Sequence, residues 1–361
     1  MTREARKPEA ETTLGRRAFM GKAAAVAAGA SITAAIRGDE TKDASRPGGP
    51  PKQGKPRIGA VSWCFHDFGA YSGRKIPEEA IDTLAELGFE GTDLILTDRK
   101  DIREHWTDER IGAIRDRLEK KKLALAQFVI FQPVVEGLSS LDSEERKRNL
   151  DYFEAGVKIG KKLGAPVIDI VAPWARELQR PGGGYLPRHY DMGSNAKPGE
   201  KFRIEMDPSF DWEKIWSAYV ETTKSCLERV KAHGLRLSIE HHTNCIVHDA
   251  DAFLRLWDAI RDPALGYNLD TGWTQSQREY PPVAIHKVKG HLMNVHARDI
   301  DGLMRGFVPV GEGVMDFDGV AKALQATGYS GFISIEQDKY DGMDMKATCK
   351  RYIEILRKAL G

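Results

Sequence analysis

From residue 57 onward, short apolar runs alternate with longer segments in which apolar residues recur every three or four positions. The short runs, rich in Val, Ile, Leu and Phe, predict strands at 57–63, 92–96, 123–129, 167–171, 236–239, 265–269, 292–295 and 331–335. The longer segments predict helices at 77–87, 108–121, 142–163, 212–232, 250–260, 283–288, 317–327 and 345–360. Local chemistry marks several of their ends. Pro77 stands in a first turn, where its missing N–H is harmless; Asp142, with Glu145 three residues on, suits an N-cap; Gly164 and Gly234 follow helix ends. Strands that alternate with helices imply parallel pairing through right-handed crossovers, which a closed barrel and an open doubly wound sheet both satisfy.

Polar residues at the strand ends favour the barrel. In the last third of the chain four successive runs are each followed at once by a polar side chain: Glu240, Asp270, His296 and Glu336. In a (β/α)8 barrel the C-terminal ends of different strands converge on one face, so these distant positions can meet. Three carboxylates and one imidazole make a hard, oxygen-rich donor set, suited to one divalent metal ion: Mn2+, Co2+ or Mg2+, or else Zn2+. We therefore expect an α/β fold, a single-domain (β/α)8 TIM barrel over residues 57–361. One connection breaks the pattern: residues 172–211, after strand four, form a loop of about forty residues where two to six is common. With its aromatic and basic residues it is expected to act as a lid over a polyhydroxylated ligand, the alternatives being a subunit contact or a disordered loop.

Composition narrows the class. Lys and Arg (54) nearly balance Asp and Glu (53), a formal charge of +1, which argues against nucleic acid or an anionic membrane surface as partner. No G-x-G-x-x-G follows the first strand and no G-x-x-x-x-G-K-[ST] occurs, so nothing supports a nucleotide fold. Cys64, Cys226, Cys245 and Cys349 are scattered, without a C-x-x-C pair, and are expected as buried free thiols.

The first 36 residues differ. Arg16-Arg17-Ala18-Phe19-Met20-Gly21-Lys22 precedes a weakly apolar Ala- and Gly-rich run, 23–36, too short to span a bilayer. This resembles a twin-arginine export leader. The resemblance implies a signal peptide over 1–36, a flexible linker over 37–56, the export machinery as a partner and a periplasmic or otherwise extracytoplasmic address. With no Cys in the leader, no stable membrane anchor is expected.

The C-terminal half resembles the sugar (phosphate) isomerase/epimerase family, whose members share the xylose isomerase-like TIM barrel. Five stretches carry the likeness in order: Leu237-Ser238-Ile239-Glu240-His241-His242, Leu269-Asp270-Thr271-Gly272, Asn294-Val295-His296-Ala297-Arg298-Asp299, Val310-Gly311-Glu312-Gly313 with Asp316-Phe317, and Gly328 through Glu336. Strand two, with Asp93, fits more loosely. The resemblance implies that Glu240, Asp270, His296 and Glu336 bind one metal, that Glu240 and Glu336 also transfer protons, and that His242 and Arg298 contact substrate. Glu312 is expected to be structural. Trp63, Phe65 and His66 after strand one suit either a sugar-stacking wall or buried aromatic packing. Where many relatives carry His, this chain has Trp273, which favours a ring face or aglycone over a free ketose.

The resemblance implies a metal-dependent sugar isomerase or epimerase that works through an enediolate on a keto sugar or glycoside. A lyase that expels the aglycone of a 3-oxo-glycoside would use the same site, and a non-catalytic sugar-binding barrel is the non-enzyme alternative. A trinuclear-zinc DNA-repair nuclease on this barrel needs His ligands from strands two and three, where only Asp93 and Gln127 occur. A homo-oligomer is compatible with all of these.

Overall fold

A computed structural model describes residues 54–66, 77–179, 204–302, 306–339 and 342–361. Among them eight parallel strands close into a barrel: β1 (Arg57–Val61), β2 (Gly91–Leu96), β3 (Ala124–Ile130), β4 (Val167–Val171), β5 (Arg236–Glu240), β6 (Leu265–Asp270), β7 (Leu292–Ala297) and β8 (Phe332–Ile335). Each strand pairs with the next, and β8 returns to β1 with Gly59 opposite Ser334. The open doubly wound sheet is thereby excluded. Eight principal helices cover the barrel: α1 (Pro77–Leu87), α2 (Asp108–Lys121), α3 (Ser143–Leu163), α4 (Trp212–Ala232), α5 (Ala250–Ile260), α6 (Pro281–Lys287), α7 (Phe317–Ala326) and α8 (Met345–Leu360).

Most predicted elements stand within two residues of their expected bounds. Strand one ends at Val61, with Ser62–Cys64 forming a turn, and three strands run past their apolar pattern: β5 includes Glu240, β6 includes Asp270, and β7 runs through His296 to Ala297. Apolar pattern ends where the ladder does not, because backbone pairing continues under a polar side chain. The leader and nearly all of the linker lie outside the described residues, as do residues 180–203 of the long connection. The parts of that connection that are described meet in a short antiparallel ribbon, Leu178–Gln179 against Glu205–Met206. Trp174 is buried and Arg176 pairs with Glu145 on α3, so the loop's first residues belong to the barrel wall.

Helix starts share one device. Asp142, Asp211, Asp249, Asp316 and Asp344 each accept a backbone N–H from the first turn of their helices, supplying partners for donors that a helix leaves unpaired. Gly164 ends α3 in the left-handed region, φ +86°.

The apolar core lies between the strands and the helices. Ile168, Ile170, Leu237, Ile239, Leu269, Val295, Ile333 and Ile335 are buried there with Phe153, Phe253, Leu324 and Leu356 from the helices, each such side chain contributing roughly 1.5–3 kcal/mol. All four cysteines are buried and free. No helix among the described residues is long and apolar enough to cross a membrane.

At the barrel floor Phe332 lies beneath the guanidinium of Arg57, 3.9 Å from its ring centre, and against Gly91, where an added Cβ would stand 2.3 Å from the ring. Gly91→Ala should therefore destabilise the protein by about 1–3 kcal/mol through overpacking. Urea unfolding checks this, and Phe332→Leu in the same chain should recover part of the loss; an additive double variant would show that the two residues do not compete for space.

Candidate metal centre

Two bulges in the barrel wall set up the site. Pairing of β2 with β3 slips one residue between Thr92 and Asp93, which brings Asp93 opposite Gln127. Pairing of β6 with β7 slips between Tyr267 and Asn268, which brings Asn268 opposite Asn294 and Asp270 opposite His296. Bulges re-aim side chains, and here they follow a pattern already present in the strands. Side chains two apart share a face. Ser238 precedes Glu240, Asn268 precedes Asp270, Asn294 precedes His296 and Ser334 precedes Glu336 by two residues. A polar layer thus lies inside the barrel beneath an upper layer formed by Glu240, Asp270, His296 and Glu336.

Those four side chains are buried, and one ligand atom from each lies within 4.8 Å of the others. Their environments differ. Glu336 Oε1 accepts the indole N–H of Trp63 at 3.2 Å and lies 3.3 Å from Arg298 Nη2, while Oε2 lies 3.2 Å from His296 Nδ1. Burial opposes its ionisation, but Arg298 and His296 outweigh that and hold its carboxyl at about 2. Glu240 Oε1 lies 3.0 Å from His242 Nε2 and 3.4 Å from His296 Nδ1, and Oε2 accepts Asn268 Nδ2 at 3.4 Å. Against its burial, His296 and His242 keep it well below the usual carboxylate range.

Asp270 is the least satisfied of the three carboxylates. Its Oδ1 caps the short helix Thr271–Ser276 by accepting the Trp273 N–H at 2.7 Å, and Oδ2 is buried without a hydrogen-bond partner. Burial pushes this carboxyl up to about 8, with the charges of Glu336 and Glu240 adding to the effect and Arg298 opposing it. The five other Asp caps stand half-buried or exposed. An orphaned buried oxygen, aimed among two carboxylates and an imidazole, is what a cation ligand looks like. The donor set fits one divalent ion.

Arg298, His242, Trp273 and Trp63, among the remaining sequence-predicted site residues, also gather here. Arg298 is buried: Nη2 binds Asp338 Oδ1 at 2.6 Å, and the guanidinium lies 3.7 Å from the centre of the Phe307 ring. Asp338 and Glu336 keep it charged despite its burial. His242 is tilted against Trp273, ring centres 4.5 Å apart, and Phe307 meets Trp273 edge-on at 4.8 Å. Trp273 is fully buried and packs between His242 and Phe307. Trp63 is likewise a hydrogen-bond donor to Glu336 with its edge toward His296. His66 is buried and 3.0 Å from Ser62 Oγ. His241 is a core residue stacked on Tyr267 and held neutral by burial, its pKa pushed down to about 3. Glu312 sits on the surface beside Arg351, while Asp299 accepts the N–H groups of Gly311 and Gly313 and shapes that turn.

Sequence reasoning missed the lower layer, Phe307 and Asp338. The layer had a signal, the repeated polar residue two positions before each upper side chain; Phe307 and Asp338 had none.

The model of the xylose isomerase-like TIM barrel matches residues 81–359. The chain belongs to that family. An inosose dehydratase of Lacticaseibacillus casei is 21% identical over 327 residues, spanning 82% of this chain and 95% of that protein. Among solved structures, D-psicose 3-epimerase from Clostridium cellulolyticum, with D-tagatose, superposes with a TM-score of 0.66 at 16% identity, covering 84% of this chain and 99% of that one. The 3-keto-D-glucoside 4-epimerase of E. coli gives 0.63 at 15% identity, covering 84% and 100%. At these identities the structural likeness speaks for the fold alone.

The charge balance yields a prediction for protein stripped of metal. Unfolded, the Asp270 carboxyl ionises near 4; folded, it keeps its proton to about 8. The folded state therefore binds the extra proton between those values, and this residue's contribution to stability falls as pH rises through that window. Asp270→Asn, which preserves the cap, should gain steadily on wild type from pH 4 to pH 8, with its Tm rising relative to wild type by several °C across that window. Thermal unfolding in chelator at several pH values checks it; a variant equally destabilised at every pH would refute it.

Proposed function

We propose that the chain is an enzyme that acts on a keto sugar or glycoside, with one divalent metal held by Glu240, Asp270, His296 and Glu336, and that it isomerises or epimerises its substrate through an enediolate. The observation that carries this reading is the buried Asp270 Oδ2 among three other ligand-type side chains. A divalent ion there would draw electron density from a substrate carbonyl and its neighbouring hydroxyl, making the C–H between them acidic.

Glu240 and Glu336 come from β5 and from the end of β8, separated along the barrel wall by β6 and β7. One carboxylate takes the proton from the substrate carbon and the other returns one to the opposite face, which inverts the centre; return at the adjacent carbon gives aldose–ketose isomerisation. Arg298, with Nη1 and Nε buried and unpartnered, offers hydrogen bonds to substrate oxygens on the Glu336 side. His242, supported by Trp273, faces Glu240. Dehydration, the reaction for which the inosose dehydratase relative is named, can begin with the same loss of a proton beside a carbonyl, which supports this reading.

A lyase is the second reading, favoured by one observation: the dehydratase relative spans nearly its whole length on this chain. Elimination uses the same first deprotonation and then expels a group β to the carbanion, such as the aglycone of a 3-oxo-glycoside. We further propose a periplasmic address by the twin-arginine route, on the pattern Arg16-Arg17-Ala18-Phe19.

Metal content of the protein lacking residues 1–36 tests the site: about one equivalent of Mn, Co, Mg or Zn, lost in an Asp270→Ala/His296→Ala variant, is expected. With ketohexoses and 3-oxo-glycosides in D2O, deuterium entering a substrate C–H without aglycone release marks an epimerase, and release marks a lyase. Glu240→Gln and Glu336→Gln should each lower turnover by roughly 10²–10⁴-fold while retaining the fold. A protein that binds no metal after reconstitution would refute the reading and leave a sugar-binding barrel.

A further inference from the structure

Asp93 lies on β2, outside the four-residue cluster, and is completely buried. Its Oδ2 accepts from His296 Nε2 at 2.9 Å, Gln127 Nε2 at 2.9 Å and Asn294 Nδ2 at 3.0 Å; Oδ1 accepts the hydroxyl of Ser334 at 2.8 Å. One carboxylate thus gathers donors from β3, β7 and β8. Reaching β7 and β8 requires passing β1, and there Gly59 stands between them: an added Cβ would lie 3.2 Å from Ser334 Oγ and 3.1 Å from the Gly91 carbonyl. The bulge beside Asp93 and the bare Gly59 both clear this line across the barrel.

We propose that Asp93 is the positioning residue for His296. This inference rests on the reading of the four-residue cluster as a metal centre. With its proton on Nε2 and donated to Asp93, the imidazole presents Nδ1 to the cluster, where Glu336 Oε2 lies at 3.2 Å and Glu240 Oε1 at 3.4 Å. Asn268 Nδ2 stands 3.4 Å from both ring nitrogens, and the Trp63 ring lies nearly perpendicular to the imidazole with ring centres 6.2 Å apart. A carboxylate behind a ligand imidazole fixes its tautomer and raises its basicity. A purely structural Asp93 would tie strands together with no consequence for which nitrogen faces the cluster.

Asp93→Asn and Ser334→Ala separate the two roles. Both weaken the network, but only the first disturbs the bond to His296. Competition with a chromophoric chelator for Co2+ should show Asp93→Asn weakened about 10- to 100-fold and Ser334→Ala by less than about threefold. Equal losses in the two variants, or none in Asp93→Asn, would overturn the proposal. Should Asp93→Asn not fold, wild-type protein still decides: nitrogen-15 NMR of His296 in the Co2+- or Zn2+-loaded enzyme should show Nε2 protonated and Nδ1 bound, and the reverse assignment overturns the proposal. If wild type binds no metal, the functional reading fails by itself. The crystal structure of metal-free Asp93→Asn then decides for Asp93, since a His296 ring left in its wild-type seat would exclude a positioning role.

Discussion

Three carboxylates share a buried pocket with one imidazole, and the electrostatic cost of that arrangement governs the mouth of the barrel. An uncompensated buried carboxylate costs on the order of several kcal/mol. Glu336 is answered by Arg298, Trp63 and His296, and Glu240 by His242, His296 and Asn268. Asp270 has only a backbone N–H for one oxygen. A cation bound by the cluster would do for Asp270 what Arg298 does for Glu336. On the proposed reading, the same deficit would make the protein's stability and its chemistry answer to one ion.

The site also shapes where the fold draws its stability. Barrels of this type commonly fill their interior with branched apolar side chains, whereas the described interior here holds Asp93, Gln127, Asn268, Asn294 and Ser334 in hydrogen-bonded contact. Such a network adds little net stability even when satisfied. Apolar stabilisation is concentrated between strands and helices, around residues such as Ile168, Leu237, Phe253 and Leu356. The inside of the barrel is thereby free to serve the upper layer, with Phe332 sealing its floor.

Much of this was legible in the sequence. Eight strands and eight helices could be placed because each surface has a distinct period, and the four cluster residues stood out because each follows an apolar run. Closure was not legible from periodicity, since a closed and an open sheet use the same alternation; the barrel depended on the polar strand ends and on family likeness. The bulges at Asp93 and Asn268 were invisible because a one-residue slip leaves no mark on composition. For Trp63 the sequence left a sugar-stacking wall and buried packing both open, and for Trp273 it suggested an apolar platform; an indole is also a hydrogen-bond donor, and only three-dimensional neighbours decide which property is used. Phe307 reaches the site from a short ribbon after β7, a position that no local pattern links to His242 or Arg298.

On the proposed reading, Glu240 and Glu336 are not interchangeable, and their neighbours say why. The partner of Glu240 is His242, an imidazole, which belongs to the one side-chain class that readily exchanges protons near neutral pH. Apart from His296, which stands between both carboxylates and would be held by the metal, the partners of Glu336 are an indole N–H and a guanidinium, neither of which gives up its proton in that range. A proton that reaches Glu240 has a neighbour to pass to; a proton that reaches Glu336 has the substrate as its nearest acceptor. Both epimerisation and elimination begin with loss of the same C–H, but elimination needs no second proton returned to carbon. The choice between them therefore turns on what stands β to the carbanion and how the substrate is oriented between these two carboxylates, since one scaffold of bases serves either outcome.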